Sequence, residues 1–237
     1  QRLSRGLGDV YKRQESGFEP TCECSSVVPS SGGGRAVAAR AAVPSVIDPK
    51  QDARLDLNRR RRLGMVEAIW GEHKTADQII AILERFSAAG ELGLVTRVDG
   101  DKAEAVSRRL PAVQVHSEAR CLSLGDLPKP PHGPSAVAVL SGGSSDRTVV
   151  SEAALALKLH GIGVDLVMDV GVAGLHRLLA QLPRLETATV LIACAGMEGA
   201  LPTVLAGLVP QPVIGVPVSV GYGVSKGGRA ALDLSLI

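Results

Sequence analysis

Four times in the second half of the chain, a short apolar run ends in a glycine-rich turn. Ser135–Leu140 leads into Ser-Gly-Gly-Ser-Ser-Asp at Ser141–Asp146. Val164–Val170 leads into Gly171–Arg177, and Thr187–Ala195 into Gly196–Pro202. Pro212–Val220 ends in Gly-Tyr-Gly. The segments between the runs are long enough for helices. Strands alternating with helices build right-handed βαβ units and a parallel sheet. Almost continuously apolar strands fit a sheet covered by helices on both faces. The fold class expected is therefore α/β. Its turns gather at the carboxyl ends of the strands, where open α/β sheets bind ligands.

The pattern predicts strands at 135–140, 164–170, 187–195 and 212–220, with helices at about 147–160, 175–182 and 199–208. Upstream, Thr75 can cap a helix over Ala76–Ala89, with Asp77 in its first turn and Gly90 as its stop. Ile79, Ile80, Leu83 and Phe86 mark its apolar stripe. Leu92–Val98 reads as a strand, and Leu110–Val115 as either a strand or a helix end. Arg54–Gly64 is charged and opens a helix, whose Arg59–Arg62 run is best read as a solvated face. Pro128–Pro134 (PKPPHGP) is a linker, because proline lacks an N–H and fixes φ. It divides a small N-terminal α/β region (52–127) from the larger α/β domain (135–233).

Both ends look foreign to this scheme. Gln1–Gln14 resembles a translated sequencing adapter, and Leu234–Ile237 resembles the start of its complement; such scars are set aside from fold reasoning. Residues 15–51 are rich in Ser, Gly, Pro and Ala, without helix or strand period, and read as disordered or non-native. The chain holds 26 Lys+Arg against 24 Asp+Glu. That balance argues against a nucleic-acid partner. Four cysteines, Cys22, Cys24, Cys121 and Cys194, have no paired zinc spacing and read as free thiols in a reducing cytoplasm. No apolar run reaches the roughly 18–20 residues of a membrane span. The expected location is cytoplasmic, with no membrane partner, no metal and no tightly bound cofactor.

The chemistry lies in the turns. Gly142 and Gly143 let a backbone approach a ligand, Ser144 and Ser145 offer hydroxyls, and the following helix offers free N–H groups; together they suit a phosphate. Asp146 could cap that helix or hold a ribose hydroxyl. The second turn, opening at Gly171, brings Asp169, His176 and Arg177. Arg177 can grip a phosphate bidentately. His176 could be a general acid, a phosphate ligand or a structural donor. In the third turn Glu198 sits among Gly196, Met197 and Gly199, where partial desolvation would raise its pKa and suit acid–base work. It could equally be a helix N-terminal acid stabilised by the dipole. Cys194 reads as a buried inert thiol. Ser219 and Tyr222 end the fourth strand and could meet a ligand base or carboxylate. These residues define a nucleotide- or phosphosugar-binding domain without naming a reaction.

The strings GGSSD, DVGVAGLHRLL, AGMEGALPTVLAGL and PVIGVPVSVGYG, within 141–223, strongly resemble the LarB family of nickel-pincer cofactor biosynthesis. LDLNRRRRLGMVEAI, Lys74–Thr75 and Thr96–Arg97 resemble its leader region, so the resemblance spans roughly 52–233. The α/β part is also similar to the carboxyaminoimidazole ribonucleotide mutase family. That family has Ala-Ala-His-Leu-Pro where this chain has Glu198–Pro202, which favours LarB. The resemblance implies a flavodoxin-like catalytic domain and an octamer. It implies a pyridinium-3,5-biscarboxylic acid mononucleotide synthase acting on nicotinic acid adenine dinucleotide and CO2 or bicarbonate, with release of AMP. Glu198 matches the family's catalytic glutamate. Ser144, Ser145, Asp146, His176 and Arg177 match positions around the phosphate and ribose. Magnesium could assist the anhydride hydrolysis.

The chain departs from the family in two places. Val218 stands where the family usually has threonine. The family's nucleophilic cysteine lies in an Asn-Ser-Cys segment soon after the position of Ala230–Leu232, and Cys194 is not at that place. The expectation is a fragment unable to form the covalent adduct. A purine-type mutase and a non-catalytic nucleotide-binding module are the competing readings.

Overall fold

The computed structural model describes residues 53–235, except His132 and Pro134. The expectations for 1–14, 15–51, Cys22 and Cys24 fall outside the described residues, as do residues 236 and 237. Leu234 and Ser235 continue a helix, with Ser235 Oγ donating to the Ala231 carbonyl at 2.8 Å.

The N-terminal region carries a four-stranded sheet in the order β1-β2-β4-β3. Its strands are β1 (Ala68–Trp70), β2 (Gly93–Thr96), β3 (Val113–His116) and β4 (Cys121–Leu124). β1 and β2 are parallel, whereas β4 is antiparallel to both β2 and β3. The charged opening segment forms a short helix, α1 (Arg59–Leu63), which Gly64 ends at φ 71°. Arg60, Arg61 and Arg62 are exposed while Arg59 is half-buried, and Arg62 pairs with Asp56 at 2.7 Å. α2 (Ala76–Ala88) begins at Thr75, whose side chain accepts from the Gln78 N–H while Gln78 accepts from the Thr75 N–H. This reciprocal capping satisfies two otherwise orphaned donors. The stripe Ile79, Ile80, Leu83 and Phe86 is buried as expected. Each such side chain stabilises the fold by about 1.5–3 kcal/mol. The ambiguous segment at 110–115 proves to be both things. α3 (Gly100–Arg109) ends at Leu110, and β3 follows.

The second sheet is wholly parallel, in the order β6-β5-β7-β8. Its strands are β5 (Val137–Ser141), β6 (Val164–Val167), β7 (Val190–Ala195) and β8 (Val213–Pro217). In domain numbering this is 2-1-3-4, the start of the flavodoxin order, whose switch point lies between the first and third strands. α4 (Arg147–Leu159) packs on the Val137–Val139 side through Val150. α5 (Leu175–Leu185) and α6 (Leu201–Ala206) pack Leu178, Leu185, Leu201 and Leu205 on the opposite side, against Ala138, Leu140, Leu191 and Ala193. β5 is buried throughout. The outer strands are not: β6 carries Asp165, paired with Arg184 at the surface, and Ile214 of β8 is 52% exposed. Their apolar composition therefore overstates how fully they are covered. α5 runs past Pro183, where the sequence pattern suggests a stop. Pro183 lies in the last turn, so it forfeits one hydrogen bond without breaking the helix.

Leu155 and Leu159 of α4 join Leu92, Leu94 and Cys121 in one apolar cluster, which seats the N-terminal sheet on the second domain. His160, just after α4, fastens the same junction. Its Nε2 accepts from the Val66 N–H at 3.1 Å, and its Nδ1 lies 2.6 Å from the Ala156 carbonyl. That pair of partners fixes the Nδ1–H tautomer, because Nε2 must be the acceptor.

Candidate active site

The four turns meet at the carboxyl edge of the parallel sheet, as their sequence suggests. Backbone bonds tie them together. The Gly142 N–H donates to the Cys194 carbonyl at 2.9 Å, across the switch point. Val170 donates to the Ser141 carbonyl at 2.9 Å, and Met197 to the Val220 carbonyl at 3.0 Å. A Cβ built on Gly171 would overlap the Gly142 carbonyl oxygen. One built on Gly196 would overlap the Val220 carbonyl oxygen. These two glycines permit turns to touch backbone to backbone. Gly143 differs, because a Cβ there meets nothing closer than 3.9 Å. Open space above Gly143 leaves room for a ligand.

Ser144 and Ser145 are exposed above a tight 3-10 turn that runs into α4. Asp146 does not cap α4. It is 4% exposed, turned inward, and accepts the Gly143 N–H at 2.8 Å. Burial holds its carboxyl above the ordinary carboxylate range, opposed by hydrogen bonds from Gly143 and Gly142. A carboxyl whose pKa rises on folding binds its proton more tightly when folded. Its contribution to stability is therefore fully present in acid and is lost as pH rises from the unfolded value through the folded one. Asp146→Asn keeps an oxygen for the Gly143 N–H but cannot ionise. The variant is expected to gain thermal stability relative to the parent protein between pH 4 and pH 8. Melting curves at each pH check this, and a difference that does not change with pH contradicts it.

Asp169 and Met197 occupy the left-handed region, at φ 58° and 55°. Non-glycine residues there are uncommon, and such strain collects at functional sites. Asp169 is exposed and pairs with Arg177, while His176 beside it is exposed. Ser219 and Tyr222 are exposed at the rim. Glu198 corrects one expectation. The turn raises it into solvent instead of enclosing it, because Gly199 (φ 71°), not Glu198, packs inward against Ala231. Sequence reasoning overlooked Ser141, which is fully buried and accepts the Asp169 N–H at 2.8 Å through Oγ. A serine closing an apolar strand just before two glycines was the available signal.

Cys194 is fully buried, and its thiol is pushed up to about 12 by burial first and by the Asp146 carboxylate second. Burial likewise pushes Cys121 to about 12, and its Sγ donates to the Ala119 carbonyl at 3.1 Å. Neither is a thiolate at neutral pH. Among the described residues no group of three or more His, Cys, Asp or Glu side chains could hold a metal ion, and no helix is long and apolar enough to cross a membrane.

Comparison with known proteins assigns the two halves separately. Residues 136–232 match the AIR carboxylase family, and residues 48–126 match the LarB/PurE-like N-terminal domain. The parallel sheet and its loops are thus of the AIR-carboxylase class, which places the chain among carboxylase- and mutase-type enzymes. With its leader region the chain belongs to the LarB family, related to the AIR carboxylases. A relative in Methanocaldococcus jannaschii, named "Uncharacterized protein MJ0165", is 33% identical over 178 residues. That match covers 72% of this chain and 70% of the relative.

Proposed function

We propose that the protein carboxylates the pyridinium ring of nicotinic acid adenine dinucleotide and hydrolyses its phosphoanhydride. The products are pyridinium-3,5-biscarboxylic acid mononucleotide and AMP, for nickel-pincer cofactor synthesis. The observation that carries this reading is the convergence, at the carboxyl edge of the parallel sheet, of an open glycine-serine turn, the Asp169–Arg177 pair and the Glu198 turn. The first two suit the phosphate and ribose of a mononucleotide unit. The third presents a carboxylate to whatever is bonded to that ribose.

A pyridinium ring is electron-poor and does not attack CO2. Addition of a thiolate to a ring carbon makes the ring a dienamine-like nucleophile. Attack on CO2 then forms the new carbon–carbon bond. Glu198 takes the ring proton at that carbon, the thiolate leaves with its electron pair, and aromaticity returns. Water cleaves the phosphoanhydride and frees AMP. Cys121 and Cys194 do not serve as the thiolate, being buried and protonated, so the described residues supply none, and this chain is expected to bind the dinucleotide without forming the covalent adduct.

Calorimetric titration with nicotinic acid adenine dinucleotide tests the reading. Saturable binding is expected, with carboxyaminoimidazole ribonucleotide failing to compete. Preference for the imidazole ribonucleotide would replace the proposal with a purine-type mutase. Mass spectrometry after incubation should find neither Cys121 nor Cys194 modified.

A further inference from the structure

Asp169 is an acid at the rim of a crevice read as binding a phosphate, where an unpaired carboxylate would repel the ligand. Its surroundings give it another task. The Asp169 N–H donates to Ser141 Oγ at 2.8 Å, and the next amide, Val170, donates to the Ser141 carbonyl at 2.9 Å. One fully buried serine therefore clamps two successive amides of the second turn. The clamp fixes Asp169 at φ 58°, a conformation Asp tolerates better than most side chains. From there its carboxylate reaches Arg177 on the first turn of α5. The guanidinium lies over Gly174, where an added Cβ would come within 2.5 Å of Nε and 2.9 Å of Nη2. Arg177 is thus held on one side by a carboxylate and on another by a bare glycine.

We infer that Asp169 is the internal counter-ion that positions Arg177, not a ligand of the substrate, and that Ser141 is the buried positioning residue that sets Asp169. The inference rests on the reading above only for Arg177's final partner. A guanidinium already held in place loses less freedom when a phosphate arrives. It also keeps its remaining N–H donors for that phosphate.

The test has two arms. The first needs no ligand. Nitrogen-15 relaxation of the Arg177 Nε–H is measured in the parent, Ser141→Ala and Asp169→Asn. Arg177 should be ordered in the parent and as mobile as other exposed arginines in both variants. Asparagine tolerates the left-handed region and keeps the backbone clamp, so Asp169→Asn removes only the counter-ion. It also gives a reading should Ser141→Ala fail to fold. Unchanged Arg177 order in Asp169→Asn overturns the inference.

The second arm is a double-mutant cycle read by binding of nicotinic acid adenine dinucleotide. Asp169→Asn and Ser141→Ala are each expected to raise Kd about 2- to 10-fold in the parent. Neither should have any effect in an Arg177→Ala background. Effects that persist there would mean that Asp169 touches the substrate, which also overturns the inference. Failure of the parent to bind the dinucleotide sinks the functional reading alone, because the relaxation arm still decides the positioning role.

Discussion

Gly196→Ala is expected to lower stability by about 3 kcal/mol, the upper end for overpacking a closed site. The offending neighbour is not a side chain that can swing away. It is the Val220 carbonyl oxygen, with its carbon at 3.2 Å and the Val218 carbonyl oxygen at 3.5 Å. Relief requires the third and fourth turns to part, which breaks the Met197–Val220 hydrogen bond. For a chain of this size such a loss lowers Tm by roughly 6–12 °C. Gly171→Ala should behave alike, since its Cβ would strike the Gly142 carbonyl. Gly143→Ala is the contrast, with no neighbour within 3.9 Å. Thermal melts should leave Gly143→Ala near the parent while its dinucleotide affinity falls. If Gly196→Ala melts with the parent, the turns do not pack as described. If Gly143→Ala binds normally, no ligand backbone passes over that residue.

This division among glycines shows what the sequence could and could not carry. Strand identity was legible because apolar runs of fixed length alternate with helices. The 2-1-3-4 order followed only in outline, since pairing is a property of the whole sheet. The Thr75 cap was legible because its signals, Thr75, Asp77 in the first turn and the Gly90 stop, are all local; the reciprocal bond to Gln78 was not read. The N-terminal sheet was harder to read. Its strands are three or four residues long, and β4 hides between a turn and a linker. In the turns, residue types pointed to phosphate chemistry, but the left-handed Asp169 and Met197 are not announced by their identity. Those two conformations decide that Asp169 meets Arg177 and that Glu198 faces solvent. The desolvation expected for Glu198 depended on walls that this turn does not provide. Ser141 was missed because a buried serine at a strand end looks like one more small core residue.

Arg177→Ala is expected to weaken dinucleotide binding about 10- to 150-fold, the equivalent of about 1.5–3 kcal/mol for a charge-assisted hydrogen bond. Thermal stability should barely change. The Asp169–Arg177 pair is exposed, with side-chain accessibilities of 52% and 40%, and exposed pairs contribute about 0–1 kcal/mol. The variant thus separates binding from folding in the opposite sense to Gly196→Ala. Arg177→Lys sharpens the argument. A lysine keeps the charge but not the planar fork, and its ammonium cannot lie over Gly174 while bridging Asp169 and a phosphate. Affinity should recover only in part, and rising salt should erode it faster than in the parent, because a point charge relies on screened Coulomb attraction. Calorimetry of the three proteins at low and high salt measures both effects. Full recovery with lysine would mean that the site needs a positive charge but not this geometry, and the hold of Asp169 and Gly174 on the guanidinium would then be incidental to binding.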